Sequence, residues 1–245
     1  MSRFAFTKAI DKNLASFAEN EFQHQIKVLR KQNDDLIKFL DGHGILYEGR
    51  ITTIDNRKKW FQVEITETWQ HPPQLPLHLL VALPKGGKLD TIIQKAVELG
   101  VTRITPIITE RTEVRLGAVK KIALRMEHWQ KSAIASIKQS GNPYLLQISE
   151  PQEIMQLQLE PAAEDSKRIV FHPAAKDIST QNELNLDSNS TVTLALGPEG
   201  GFSETEIRHL QTQSFLTVGL GKRILRLETA VVSALTLTQY LRNSF

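Results

Sequence analysis

The chain has 245 residues, a formal net charge of +3 and no cysteine. That length fits one large domain or two small ones, and an apolar fraction of 40% is enough for an ordinary core. The lack of cysteine excludes disulfides, thiolate metal sites and cysteine nucleophiles, and it suits a reducing cytoplasm. No apolar run approaches a membrane span, and the first residues lack a signal peptide's apolar core. The histidines show no metal-ligand spacing, so we expect neither a metal site nor a membrane segment.

The first 72 residues predict a small domain rich in β-strands. Residues 34–40 and 45–54 alternate apolar and polar side chains, and Asp-Gly-His-Gly at 41–44 lies between them as a hairpin turn. Residues 60–67 alternate in the same way, and residues 21–30 place apolar side chains at helical spacing. Two prolines at 72 and 73 favour an extended linker, so we place a domain boundary there.

From residue 78 onwards the pattern changes to strands alternating with helices. Residues 79–83 form a continuous apolar run, as expected of a parallel strand buried on both faces. Further strands are predicted over 101–108, 168–171 and 192–196, helices from 89 and over 122–139, a short helix over 153–159, and a polar loop or ragged helix over 177–190. This order predicts a mostly parallel sheet with helices on its faces. In such folds ligands bind beyond the carboxyl ends of the strands.

A glycine-rich loop, Gly-Pro-Glu-Gly-Gly at 197–201, follows the apolar run 192–196. It lacks the lysine of a P-loop and the G-x-G-x-x-G spacing of a dinucleotide site. Glycine lets a ligand approach the backbone closely, and Pro198 stiffens the loop. Ser203 and Glu206 form a predicted capping box that starts the next helix. On these residues alone, a ligand loop and a tight turn without a ligand are equally good interpretations.

A second loop of this kind follows the strand that is predicted to end at Val218. It contains Gly-Leu-Gly at 219–221 and then cations at 222, 223 and 226. These cations are either a solvated surface or a site for RNA phosphate, which arginine binds with two parallel hydrogen bonds. An apolar stripe from Leu227 to Leu241 predicts a final helix that packs in the core or against another subunit.

Two segments carry a resemblance to a known family. Leu-Gly-Pro-Glu-Gly-Gly-Phe-Ser-Glu at 196–204 and Leu-Gly-Lys-Arg-Ile-Leu-Arg-Leu-Glu-Thr-Ala at 220–230 resemble the paired motifs of the RsmE-type ribosomal RNA methyltransferases of the SPOUT class. Weaker matches cover nearly the whole chain, at 25–30, 91–101, 104–107, 110–111, 129–131 and 139–140. Many members have glutamate and arginine where this chain has Lys138 and Asn142, so a contact there with RNA or a dimer partner would be altered.

The resemblance implies a fold and an activity. It implies a PUA-like β-barrel that binds RNA at 1–72 and an α/β SPOUT methyltransferase domain at 73–245, with a parallel sheet and a deep trefoil knot. It implies S-adenosylmethionine-dependent methylation of N3 of a uridine in the 16S rRNA of the small ribosomal subunit, by a cytoplasmic homodimer joined through the knotted domain. Two alternatives stay open: a knotted methyltransferase acting on another RNA, and a non-catalytic RNA-binding or ribosome-assembly factor. Intact glycines in both loops favour cofactor binding.

The resemblance also implies roles for residues of the two loops. The predicted cofactor-binding residues are His172, Pro173, Leu196, Gly197, Pro198, Glu199, Gly200, Gly201, Leu220, Gly221, Ile224, Leu225 and Leu227. Their apolar side chains and backbone amides suit an uncharged adenine ring. Arg226 is expected to stabilise negative charge on the uracil oxygens as N3 loses its proton. Glu228 could accept that proton, orient Arg226, or merely be a carboxylate favoured by the helix dipole.

Basic residues of the N-terminal domain are the natural candidates for holding RNA. We predict phosphate contacts for Lys27, Arg30, Lys31 and Arg50, and for Arg223 beside the second glycine loop. Such contacts would give salt-dependent affinity that is largely independent of sequence. Scattered solvated charge is the alternative interpretation of the same residues.

Overall fold

The structure is a computed structural model of the chain, and it describes residues 3–113, 119–160, 165–173, 186–187 and 189–243. The chain folds as two compact units, Met1–Gln74 with Ala133–Leu145, and Leu75–Ser132 with Leu146–Phe245. The first unit therefore includes a stretch that the sequence assigns to the second domain. Most of the loop or ragged helix predicted over 177–190 lies outside the described residues.

The first unit is built on one six-stranded sheet. Its elements are β1 (Ala5–Phe6), β2 (Ile10–Asp11), β3 (Leu14–Ala18), α1 (Glu19–Phe22) with a π-helical continuation (Gln23–Val28), β4 (Leu36–Leu40), β5 (Ile45–Asp55) and β6 (Trp60–Gln70). The strand order is β1-β4-β5-β6-β3-β2. The hairpin of β4 and β5, the strand β6 and the helix before them confirm the predictions. Strands β1 to β3 were not predicted, because they are too short for their alternation to stand out.

This sheet curls around an aromatic core. Phe17 on β3 and Phe39 on β4 are three strand spacings apart in the sheet order, which is roughly 14 Å on a flat sheet. Their ring centroids are nevertheless 5.2 Å apart. Phe61 stacks on Phe17 at 4.7 Å, and Tyr47 stacks on Phe39 at 5.0 Å. The sheet is therefore barrel-like, with these rings in its interior.

The second unit is an α/β fold on a seven-stranded sheet. Its elements are β7 (Leu77–Ala82), α2 (Lys88–Glu98), β8 (Arg103–Ile108), α3 (Val119–Ser140, which ends in the first unit), β9 (Gln147–Ile148), β10 (Gln152–Glu153), a 3-10 turn (Ile154–Gln156), β11 (Ser166–Phe171), β12 (Thr191–Leu196), α4 (Glu204–Thr212), β13 (Phe215–Val218) and α5 (Leu227–Leu241). The order is β10-β8-β7-β12-β11-β13, with β9 beside β8. Within the described ranges all of these pairings are parallel, as predicted.

The core of this unit follows the apolar patterns of the sequence. Leu79, Leu80 and Val81 of β7 are fully buried, which explains the continuous apolar run. The predicted α2 stripe, from Leu89 to Val97, is buried as well, and Gly100 ends the helix in the left-handed region at φ 74°. No helix among the described residues is long and apolar enough to cross a membrane.

One predicted element is wrong in kind. Residues 153–159 form only the 3-10 turn Ile154–Gln156, because Leu157 has extended backbone angles and ends the turn. Ile154 and Leu157 are nevertheless buried, so the apolar spacing reflects their packing in the core rather than a regular helix.

Candidate active site

Three neighbouring strands of the second unit end at one pocket. Phe171 pairs with Leu196 on one side and with Val218 on the other, so the loops after β11, β12 and β13 begin side by side. The pocket encloses about 620 Å³ of empty space, part of which is open solvent. Its lining residues are Phe171, His172, Pro173, Leu196, Gly197, Pro198, Glu199, Gly201, Leu220, Gly221, Arg223, Ile224, Leu225, Leu227 and Ala230.

All of the predicted cofactor residues except Gly200 line this pocket. Gly200 lines an adjoining pocket instead, where a Cβ would lie 3.3 Å from Cδ of Arg111. Phe171, Ala230 and Arg223 line the main pocket without having been predicted for it. The first two are ordinary apolar residues of a strand and a helix, with no signal in the sequence, and Arg223 was assigned to RNA. Cofactor contact by the twelve predicted residues that line the main pocket stays a prediction, whereas Gly200 lies outside that lining.

One glycine in each of the two loops has a backbone conformation that favours glycine. Gly201 and Gly221 have φ angles of 71° and 97°, a region that side chains disfavour. The amide of Gly201 donates to the carbonyl of Pro198 at 2.7 Å, which closes a tight turn. A Cβ on Gly221 would meet no described atom within 4 Å, so its face is open for a ligand to approach.

The capping box at the start of α4 is confirmed, and it also holds a neighbouring loop. Glu206 is 2% exposed, and its Oε2 accepts from the amide of Ser203 at 2.8 Å. Its Oε1 accepts from the amide of Glu110 at 2.7 Å. One carboxylate thus fixes the downstream end of the first glycine loop and the segment that follows β8.

Lys88 links the first glycine loop to the start of α5. Its Nζ lies 2.6 Å from Oε1 of Glu199 in the first glycine loop and 3.6 Å from Oε1 of Glu228 in the first turn of α5. A hydrogen bond from Lys88 lowers the pKa of Glu199, and the same bond raises the pKa of Lys88. Sequence reasoning missed Lys88, because it carries no local signal and its partners are more than a hundred residues away.

The two predicted catalytic residues lie at the start of α5. Arg226 precedes the helix with extended backbone angles, and its exposed side chain lies outside the pocket lining. Its charge contributes to the lowered pKa of Glu199, after the contributions of Lys88 and Lys85. Glu228 pairs with Lys88, and its buried Oε2 accepts no hydrogen bond from the described residues. This acceptor atom is therefore unused by the described part of the fold.

Arg111 supports the first glycine loop from its other side. Its Nη1 donates to the carbonyl of Gly200 at 2.6 Å. Arg111 stands in a motif that carries the family resemblance, but no role was predicted for it. The loop is therefore held by two cations, Lys88 through a side chain and Arg111 through the backbone.

The basic residues predicted to bind RNA in the first unit fall into two groups. Lys31 donates to the carbonyl of Leu36 at 3.1 Å and Arg50 to that of Asp34 at 2.7 Å, so both lie at the segment before β4. Lys27 instead donates to Asn56 at 2.7 Å, beside the basic turn 57–59. Arg30 is exposed, with a left-handed φ of 56°. Their contact with RNA stays a prediction.

The two departures from the family pattern have structural partners. Lys138 forms an ion pair with Glu21 at 2.5 Å, and both side chains are almost buried. Oδ1 of Asn142 accepts from the amide of Tyr144 at 3.0 Å and from Nε2 of Gln74 at 3.2 Å. Both side chains therefore stabilise the first unit itself.

Comparison with known proteins defines the class. Residues 71–239 match the family model described as an RNA methyltransferase domain, and residues 17–64 match the RNA methyltransferase PUA domain. The chain thus belongs to the class of RNA methyltransferases.

Relatives and solved structures identify the family more closely. The ribosomal RNA small subunit methyltransferase E of Buchnera aphidicola (from Schizaphis graminum) is 33% identical, over 89% of this chain and 87% of the relative. The Bacillus subtilis protein of the same name is 31% identical over 92% and 89%. The Neisseria gonorrhoeae enzyme of that name, bound to S-adenosyl methionine, has a TM-score of 0.84 at 27% identity, covering 99% and 98% of the two chains. A Legionella pneumophila methyltransferase with bound cofactor SAM has a TM-score of 0.85 at 29% identity, covering 98% of each chain. The chain belongs to the ribosomal RNA small subunit methyltransferase E family.

Proposed function

We propose that this protein methylates N3 of a uridine in the 16S rRNA of the small ribosomal subunit, with S-adenosylmethionine as the methyl donor. The observation that carries the proposal is the pocket at the ends of β11, β12 and β13, which gathers both glycine loops. Over nearly its whole length the chain is similar to an enzyme whose structure contains this cofactor.

The residues of the pocket fit such a cofactor. Ile224 is 85% exposed although it is apolar, and it lines the pocket with Leu220 and Leu225, so a flat adenine ring would cover it. Glu199 lines the pocket, and Lys88, whose Nζ is 2.6 Å from its Oε1, holds this carboxylate charged and in place at the wall. When bound, the cofactor supplies a methyl group already activated by its sulfonium, so the chemistry needs no metal.

The protein's own groups would manage charge and protons on the uridine. Arg226 is the candidate for stabilising negative charge on the uracil oxygens when N3 loses its proton. Glu228 is the candidate acceptor for that proton, because its Oε2 is buried and bonded to no described residue. Lys88 would hold Glu228 in place through the other carboxylate oxygen.

The remaining features of the family belong to the same proposal. We infer a trefoil knot in the second unit, a homodimer formed through it, and a place in the cytoplasm. The exposed Val232 and Tyr240 on α5 support a dimer contact there. The PUA-like unit would hold rRNA through Lys27, Arg30, Lys31 and Arg50, with Arg223 near the methyl donor.

Methylation of isolated small subunits tests the proposal directly. Subunits from cells that lack the gene would be incubated with the protein and S-adenosylmethionine, and their 16S rRNA mapped by mass spectrometry. We expect one uridine to gain N3-methylation. If no uridine gains it while S-adenosylhomocysteine binds in calorimetry, the proposed substrate is wrong. If the protein binds no S-adenosylhomocysteine either, the non-catalytic alternative holds.

A further inference from the structure

A second pocket adjoins the first on the far side of the glycine loop 197–201. It is an open depression with about 350 Å³ of empty space, part of which is open solvent, and it shares Pro198, Glu199 and Leu227 with the first pocket. Its full lining is Leu83, Pro84, Lys85, Arg111, Thr112, Glu113, Pro198, Glu199, Gly200 and Leu227. It thus lies at the carboxyl ends of β12, β7 and β8, which are neighbours in the sheet. A ligand there would be separated from a ligand in the first pocket only by the three shared residues.

The walls of this adjoining pocket combine apolar surfaces with charged groups. Leu83, Pro84 and Leu227 offer apolar faces that suit a flat ring. Lys85 pairs with Glu113, but their side chains are 58% and 68% exposed, so this ion pair is weak and easily exchanged.

Arg111 adds fixed hydrogen-bond donors to the same pocket. A guanidinium has five N–H donors, and the bond to Gly200 uses one of the Nη1 hydrogens. The pocket therefore presents cationic donors at Lys85 and Arg111 and a carboxylate acceptor at the shared wall.

We propose that this adjoining pocket is the subsite for the uracil base of the RNA substrate. The inference rests on the proposed function and names where its substrate binds. Uracil is a flat ring whose N3–H donor lies between two carbonyl acceptors, and the pocket has donors and an acceptor to match. Lys85 and Arg111 hold the two oxygens, and Glu199 faces the N3 edge from the wall shared with the methyl donor. The base enters after it is flipped out of the RNA stack.

This arrangement also explains a preference for uracil over cytosine. Cytosine carries an amino group in place of one carbonyl, and that group would meet the cationic donors of Lys85 or Arg111. A cationic donor gains no hydrogen bond from an amino group, so the pocket should bind cytosine less well than uracil. Arg226, outside both pockets, then adds its charge from the rim rather than by direct contact inside.

Gly200 gives the sharpest test, because it lines the adjoining pocket and not the first one. Its φ lies outside the left-handed region, and a Cβ would touch only the flexible side chain of Arg111, at 3.3 Å. In Gly200→Val we expect the Kd for S-adenosylhomocysteine to change by about twofold at most, while kcat/KM on small subunits falls by about 100-fold. Gly221→Val, in the first pocket, should instead lose S-adenosylhomocysteine binding.

Lys85→Met is a second, independent variant that removes one donor and keeps the length of the side chain. We expect a fall in kcat/KM of about tenfold or more with unchanged S-adenosylhomocysteine affinity. Its matched control is Lys95→Met on α2, which removes an exposed pair with Glu98 and should leave both values unchanged.

The outcomes separate the subsite from the proposed function. Wild-type methylation in both Gly200→Val and Lys85→Met would overturn the subsite. If Gly200→Val also loses affinity for S-adenosylhomocysteine, the kinetics of Lys85→Met decide whether the adjoining pocket is the uracil subsite. If the unaltered protein methylates no small subunit, the proposed function fails before the subsite is tested. Calorimetry of the S-adenosylhomocysteine complex with uridine and cytidine monophosphates adds a direct reading, and equal affinity for the two would contradict the proposed donors.

Discussion

At the scale of single residues, a small set of charges surrounds the first glycine loop. Glu199 lies next to Lys88, and the charges of Lys85 and Arg226 act on it as well. These cations keep the pKa of Glu199 below its ordinary value, so at neutral pH it is a charged wall residue and a poor proton acceptor. Glu228, with one oxygen free of hydrogen bonds from the described residues, remains the better candidate for that task.

Arg226→Met tests the predicted catalytic role. We expect kcat to fall by about 100-fold, because a cation that acts on the developing charge contributes mainly in the transition state. The Kd for S-adenosylhomocysteine should stay unchanged, since Arg226 lies outside the pocket lining. Steady-state kinetics on small subunits and calorimetry provide the two values. Loss of cofactor binding would show that Arg226 holds the cofactor, and unchanged kcat would remove it from the mechanism.

At the scale of elements, the start of α4 links three segments through one side chain. Glu206 closes the capping box with Ser203 and accepts from the amide of Glu110 in the segment after β8. The capping box was predicted from the sequence because Ser203 and Glu206 are only three residues apart. The bond to Glu110 was not, because it joins residues 96 positions apart.

Glu206→Ala should lower the free energy of unfolding by about 2–3 kcal/mol, since it leaves two amides in a buried site without an acceptor. Urea unfolding followed by circular dichroism measures this loss. Glu204→Ala is the matched control on the same helix, because its pair with Arg208 is exposed and should contribute less than about 1 kcal/mol. Equal effects of the two substitutions would contradict a structural role for the buried carboxylate.

At the scale of the whole molecule, the parallel sheet of the second unit encloses a histidine. His78 on β7 forms a 2.8 Å hydrogen bond with the hydroxyl of Thr105 on β8. Burial and, to a smaller extent, the charge of Arg103 together lower the pKa of His78 to about 4. The unfolded chain, with an ordinary histidine pKa near 6.5, therefore binds more protons than the folded chain between these two values.

The folded state should thus lose stability as the pH falls from about 6.5 to about 4, by up to about 3 kcal/mol from this one group. His78→Gln retains a hydrogen-bonding side chain without the titration, so its stability should depend less on pH in that window. Urea unfolding at a series of pH values gives the free energy of unfolding of the unaltered protein and of His78→Gln. The contribution of the carboxylates is common to both proteins, so it cancels in the difference. His71→Gln, at an exposed position, is the control. Parallel curves for the unaltered protein and His78→Gln would contradict the lowered pKa.

The sequence by itself determined what depends on neighbouring residues. Continuous apolar runs predicted the parallel strands β7 and β12, helical spacing predicted α2 and α5, and the glycines marked both loops of the pocket. These signals suffice because burial and turn chemistry act over a few residues. The same local reading found nearly all of the pocket lining, since its loops directly follow buried strands.

Only the tertiary structure decided what depends on the order of strands in the sheet. That order brings Lys88 to Glu199 and Arg111 to Gly200, pairs that are separated by 111 and 89 residues. The same strand order places Gly200 in the lining of the adjoining pocket and not of the first one. Its neighbours Glu199 and Gly201 both line the first pocket. Composition and periodicity cannot encode such contacts, because the partners are chosen by how the strands pair and not by local spacing. The packing of Ala133–Leu145 with the first unit was decided in the same way.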